Sequence, residues 1–130
     1  MSVPVQKKIN PDPRVFTFDE AKLKRNDKTY QITDLNIQNT KGRIVFTVSV
    51  TVLHPAMQTS GHMHGNETEV YEFVEGQGIM IVRKLSLFVK AGDFVFVDKG
   101  DFHKVINISK SSDLIFRCYM NGEIERPHLL

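Results

Sequence analysis

Arg43-Ile44-Val45-Phe46-Thr47-Val48-Ser49-Val50-Thr51-Val52-Leu53 decides the fold. Ile44, Phe46, Val48, Val50 and Val52 fall on one side of an extended chain, and Thr47, Ser49 and Thr51 on the other. That period of two is a strand pattern, and seven of its eleven residues are β-branched. The same reading extends outward. Residues 30–37 and 69–75 are strand candidates, and 79–83, 85–89 and 94–97 follow at short spacing. Residues 103–108 and 114–120 close the series. Gly76-Gln77-Gly78, Ala91-Gly92-Asp93 and Asp98-Lys99-Gly100 are turn signals between them. Many short strands with no long helix predict an all-β sandwich or barrel, a form that also protects strand edges.

Residues 1–27 read differently. Pro4, Pro11 and Pro13 interrupt regular structure. Residues 19–25 are predicted to form one or two helical turns, capped by Thr17 or Asp19. The chain is therefore divided into an N-terminal extension, 1–27, and a barrel, 28–130.

With 130 residues, 41% of them hydrophobic and 25% charged, the composition is that of one globular domain with a core of its own. No stretch approaches the ~20 apolar residues of a spanning helix, and MSVPVQKKIN has no apolar leader region. Cys118 is the sole cysteine, which excludes an internal disulfide and a cysteine-rich zinc site; the expected compartment is cytoplasmic. The net charge of +2 divides unevenly, with residues 1–65 at +4 and residues 66–130 at −2. Lys22, Lys24, Arg25 and Lys28 cluster without interleaved aromatic residues, so they read as a solvated face. Neither nucleic acid nor membrane is an expected partner.

The chemistry lies in the histidines. Of His54, His62, His64, His103 and His128, two stand as Gly61-His62-Met63-His64. Residues i and i+2 of an extended chain point the same way, ~6.5–7 Å apart, which suits two imidazoles converging on one cation. Glu69 opens the next strand, and His103 opens another after a glycine turn. Three imidazoles and a carboxylate suit one divalent transition metal: Fe, Mn, Ni, Co or Zn. A single H-x-H with a nearby Glu is a weak signal, more often a surface loop than a metal site. The surrounding spacing strengthens it.

His62-x-His64-x4-Glu69-x6-Gly76, within 61–76, resembles the first signature motif of the cupins. Gly92-x5-Asp98-x-Gly100-x2-His103-x3-Asn107, within 92–107, resembles the second. Ala56 stands where the first motif has an upstream glycine, and Asp98 where the second has a proline; neither is a ligand. Fifteen residues, 77–91, separate the motifs. The resemblance implies a cupin jelly-roll β-barrel of two antiparallel sheets, with a metal near one mouth held by His62, His64, Glu69 and His103.

Thr51 through Pro55, Thr59 through His64, Glu69-Val70-Tyr71 and Glu75 through Gly78 are similar to the cupin-type glucose-6-phosphate isomerases found chiefly in archaea. That resemblance implies a metal-dependent sugar-phosphate aldose–ketose isomerase. Thr51, Thr59 and Gly61 would bind the substrate, and Glu69 and Tyr71 would be catalytic. Two other classes stay open: a cupin dioxygenase with an iron site of three histidines and one glutamate, and a non-enzymatic cupin that binds a metal or small molecule.

Other residues have plainer expectations. Met63 alternates away from its histidine neighbours and packs. Tyr71 is a pocket phenol or barrel core. Cys118 shares a face with Leu114, Phe116 and Met120 as a small buried hydrophobe. His54 belongs to a loop, His128 to solvent, and Asn107 fixes backbone near the second motif. If Thr51 faces the pocket, the apolar face of 43–53 must face outward, and a two-fold homodimer is expected to cover it, with residues 1–27 draped across.

Overall fold

The computed structural model describes residues 12–62 and 68–124. Among the described residues a 3-10 turn at Phe18–Glu20 leads into nine strands. These are β1 (Lys22–Asn26), β2 (Tyr30–Gln38), β3 (Ile44–Leu53), β4 (Glu69–Glu75), β5 (Gln77–Val82), β6 (Leu85–Lys90), β7 (Phe94–Val97), β8 (His103–Asn107) and β9 (Leu114–Asn121). They form a six-stranded sheet, β1-β2-β3-β9-β4-β7, facing a three-stranded sheet, β6-β5-β8. Every pairing is antiparallel, which gives the two-sheet jelly roll expected from the sequence. Among the described residues no helix is long and apolar enough to cross a membrane.

One expectation is corrected. Helical turns were expected over 19–25, but the turn ends at Glu20 and residues 22–26 form strand β1. Thr17 occupies the cap position without a side-chain cap bond. Pairing with β2 decides the conformation: Lys22 lies opposite Asp34, and Asn26 opposite Gln31. The basic cluster thus sits on an edge strand, where exposed lysines discourage pairing with another sheet.

In β3 the polar face turns inward. Thr47, Ser49 and Thr51 are buried, while Val48, Val50 and Val52 on the outer side are half-buried. Ser49 lies opposite Asp34 on one side and Cys118 on the other; Thr51 lies opposite Ile32 and Phe116. Directly opposed residues of an antiparallel pair share a face, so β3 carries a polar strip into the interior. Where the strip ends, Leu53, Leu114, Phe73 and Met80 make a fully buried apolar core.

The two departures from the cupin spacing resolve differently. Ala56 has φ 62°, so its position does require the left-handed backbone that glycine supplies, and alanine bears strain there. Ala56→Gly is expected to raise unfolding stability by about 0.5–1 kcal/mol in urea titration, since relief of strain exceeds the added chain entropy. At Asp98 the carboxylate replaces the ring constraint of proline. Its Oδ1 accepts the Lys99 N–H at 2.8 Å, and its carbonyl accepts the Asp101 N–H at 3.1 Å, which closes the turn into β8.

Asn107, at the end of β8, ties three segments together. Its Nδ2 shares its two hydrogens among the carbonyls of Leu53 (3.0 Å), His54 (3.2 Å) and Ser112 (2.8 Å), and its Oδ1 accepts the Ser109 N–H at 2.9 Å. It is a backbone clamp, as the sequence suggested.

Candidate metal centre

Residues 57–62 run antiparallel beside β8. Thr59 N–H donates to the Val105 carbonyl at 2.9 Å, and Asn107 N–H to the Met57 carbonyl at 2.9 Å. The run ends where His62 and His103 exchange both backbone bonds, at 3.1 and 3.0 Å. A directly bonded pair points its side chains to one face, and the two imidazole centroids lie 4.5 Å apart. The start of the first motif is thus zipped to the histidine of the second, though forty residues separate His62 from His103.

Glu69 enters from the six-stranded sheet. It and His103 are almost wholly buried, and His103 Nε2 lies 2.8 Å from Glu69 Oε2. Ligand atoms of His62, Glu69 and His103 all lie within 4.8 Å of one another. His103 Nδ1 lies 2.8 Å from the Asp101 carbonyl, an acceptor only, so Nδ1 carries a hydrogen; Nε2 faces Glu69, donating to it when the ring is charged and offering a lone pair once that proton is displaced. Two imidazoles and one carboxylate, with a fixed tautomer and a buried carboxylate, form a donor set that fits a first-row divalent ion. His64 falls outside the described residues, as do Met63 and His128.

Burial pushes the His103 ring toward lower pKa. The Glu69 carboxylate and the Asp101 carbonyl outweigh that and hold it above the ordinary value of 6.5. The raised value gives opposite signs with and without metal. In metal-free protein the His103–Glu69 contribution is full below pH 6.5 and is lost as pH rises through the folded pKa. Metal uptake must displace that proton, so affinity is expected to rise over the same interval. Melting curves across pH 5–9, with chelator and with excess metal, are expected to slope in opposite directions.

The cluster opens on a narrow cavity of about 30 Å3. Thr51, Thr59 and Tyr71 line it, as do Ser49, Ser60 and Tyr30. The Thr59 hydroxyl already accepts the Val105 N–H at 3.0 Å, so it retains its hydrogen for donation. Gly61 is not among the described lining residues. It has φ +80°, and a Cβ there would sit 2.6 Å from Phe102 Cζ, so its bareness serves packing. Tyr71 is both pocket and core, with its ring 5.7 Å from that of His103 and 5.6 Å from that of Phe116. Lys104 points away, its Nζ donating to Gln58 Oε1 at 2.9 Å. Tyr119 lies on the outer face and donates to Glu72. No lysine or arginine lines the cavity among the described residues.

Sequence reasoning missed two contributors. Tyr30 reaches the cavity from β2. Cys118, read as a small hydrophobe, is buried as expected, but its thiol donates to Glu69 Oε1 at 3.3 Å. The signal was the inward parity of residues 114–120, which pairing across β9 converts into a shared layer.

The cupin domain family matches residues 49–119 of this chain. An oxalate-binding protein of Thermotoga maritima is 33% identical over 64 residues, 49% of this chain and 52% of that protein, so the chain spans about half the length of the curated relative it matches. A predicted oxalate decarboxylase from Thermotoga maritima superposes with TM-score 0.62 at 21% identity, over 84% of this chain and 99% of that one. KdgF from Halomonas does so with TM-score 0.65 at 13% identity, over 88% and 98%.

Proposed function

This chain belongs to the cupin domain family, and on that premise we propose that it binds a small oxygen-donor acid through one divalent transition metal held by His62, Glu69 and His103, with His64 as a fourth ligand. The carrying observation is the pairing of that donor set with a cavity whose described lining has no cationic side chain. An anionic ligand entering it needs a positive partner, and a bound divalent ion supplies that charge and polarises the oxygens placed on it. The chain's own groups do the rest. Thr51 and Ser60 offer hydroxyl donors, Tyr71 stands beside His103, and Ile32, Val105 and Phe116 narrow the apolar wall. The oxalate-binding relative supports a short dicarboxylate such as oxalate.

A second reading, sugar-phosphate isomerisation, is favoured by the inward placement of Thr51, Thr59 and Tyr71. Here Tyr71 would orient a substrate hydroxyl, and Glu69 would sit beside the carbon losing its proton. The deciding experiment pairs two assays on metal-loaded protein. Oxalate is expected to raise the melting temperature only when metal is present. Interconversion of fructose and glucose 6-phosphates, with no response to oxalate, would transfer the proposal to the isomerase.

The outer face supports a homodimer. Val48, Val50 and Val52 are only half-covered, and Phe94 and Phe96 on β7 of the same sheet are 63% and 59% exposed. Arg117, Tyr119 and Glu72 stand between these residues, and a second copy about a two-fold axis would cover the apolar groups on both sides of them. Light scattering at micromolar concentration is expected to give twice the 14.9 kDa chain mass.

A further inference from the structure

We infer that Cys118 is a positioning residue for the Glu69 carboxylate, with its thiol holding one oxygen so that the other faces the metal ligands. The inference rests on the metal-binding reading above and deepens it.

The two oxygens of Glu69 meet different partners. Oε1 accepts the Cys118 thiol at 3.3 Å, and Oε2 lies 2.8 Å from His103 Nε2. A carboxylate rotates about its last torsion through a broad, two-fold well. Fixing one oxygen from behind removes that freedom and chooses which oxygen points into the cluster. The strand register makes the contact possible. Cys118 lies directly opposite Tyr71, and Glu69 opposite Met120, so Cys118 and Glu69 are diagonal neighbours on one inward face. Ser49 faces Cys118 from β3, so the thiol sits where the polar strip meets the apolar core that Phe116 and Met120 build.

The chemistry suits a thiol. It is a weak, neutral donor, so it fixes the carboxylate without adding a positive charge that would compete with a cation. Groups that orient metal ligands from outside typically change affinity by 10–100-fold when removed. Both cysteine and glutamate are nearly inaccessible, at 4% and 2% exposure, so water does not replace the lost donor easily.

The experiment compares wild type with Cys118→Ala, Cys118→Val and Cys118→Ser. Apparent metal affinity is read by competition with a chromophoric chelator, and the cobalt-loaded proteins by their d–d absorption bands. Alanine and valine are expected to weaken affinity about 10-fold or more and to shift the bands; serine, which restores a donor, is expected to recover most of both. A purely structural cysteine would be rescued by valine and not by serine. Affinity and spectrum unchanged in alanine and valine would overturn the inference while the metal site stands. A metal-free readout separates the two readings. The S–H stretching band of wild type is expected at lower frequency than in Glu69→Ala, and coincident bands would overturn the inference whether or not metal binds. Wild-type protein that takes up no metal, with the band shifted, would remove the metal reading and with it the positioning role.

Discussion

Replacing His103 with alanine or glutamine is expected to weaken divalent-metal binding by on the order of 100-fold or more, beyond what loss of an outer orienting group produces. The size follows from its place. His103 lies on β8 of the smaller sheet, Glu69 on β4 of the larger one, and among the described ligands His62 alone shares the β8 side. Without His103 the carboxylate faces a single described imidazole, and the set loses the more buried of the two. Glutamine keeps bulk in a site that is 1% exposed, so a loss seen in both variants reports on ligation and not on a cavity. Lys104→Ala is the control, since that side chain bonds Gln58 instead. Elemental analysis after purification with competing chelator gives the measurement. Retained metal in both His103 variants would disprove the assignment.

The largest expected effect on stability is at Asn107. Alanine there leaves the carbonyls of Leu53, His54 and Ser112 and the N–H of Ser109 without their side-chain partner, in surroundings where Asn107 itself is 2% exposed. Each lost buried bond weighs about 1 kcal/mol and more when its partner stays dry, giving roughly 3–4 kcal/mol and a melting point lower by roughly 10–15 °C. Asn107→Asp is expected to be at least as damaging, because it sets a carboxylate against three carbonyl oxygens. Calorimetry of metal-free protein checks both. A shift under about 3 °C would mean that other contacts hold the three segments together.

The eight strands from β2 to β9 were legible because alternation and glycine turns are local signals; alternation separated the two faces of β3, but only the isomerase resemblance asked for Thr51 on the inner one, where it lies. β1 was not legible. An edge strand needs no apolar face, and Lys22-Leu23-Lys24-Arg25 has none to show. Neither was the strand-like run 57–62, which holds its shape by bonding to β8 and not by any pattern of its own. The motifs named His62, Glu69 and His103 correctly as neighbours, but not what stands behind them. That Cys118 touches Glu69 depends on β9 lying between β3 and β4, and sheet order is a non-local outcome.

The backbone pairing of His62 with His103 bears on how such a chain can change length. Since the two histidines are registered by direct bonds between their own segments, the fifteen residues between the motifs do not set the distance between ligands. Those residues form the β5–β6 hairpin, whose tip at Arg83-Lys84 is exposed and whose outer strand is the margin of the small sheet. Lineages are therefore free to lengthen or trim that hairpin, and designers to graft a peptide at its tip, while inheriting the same ligand geometry.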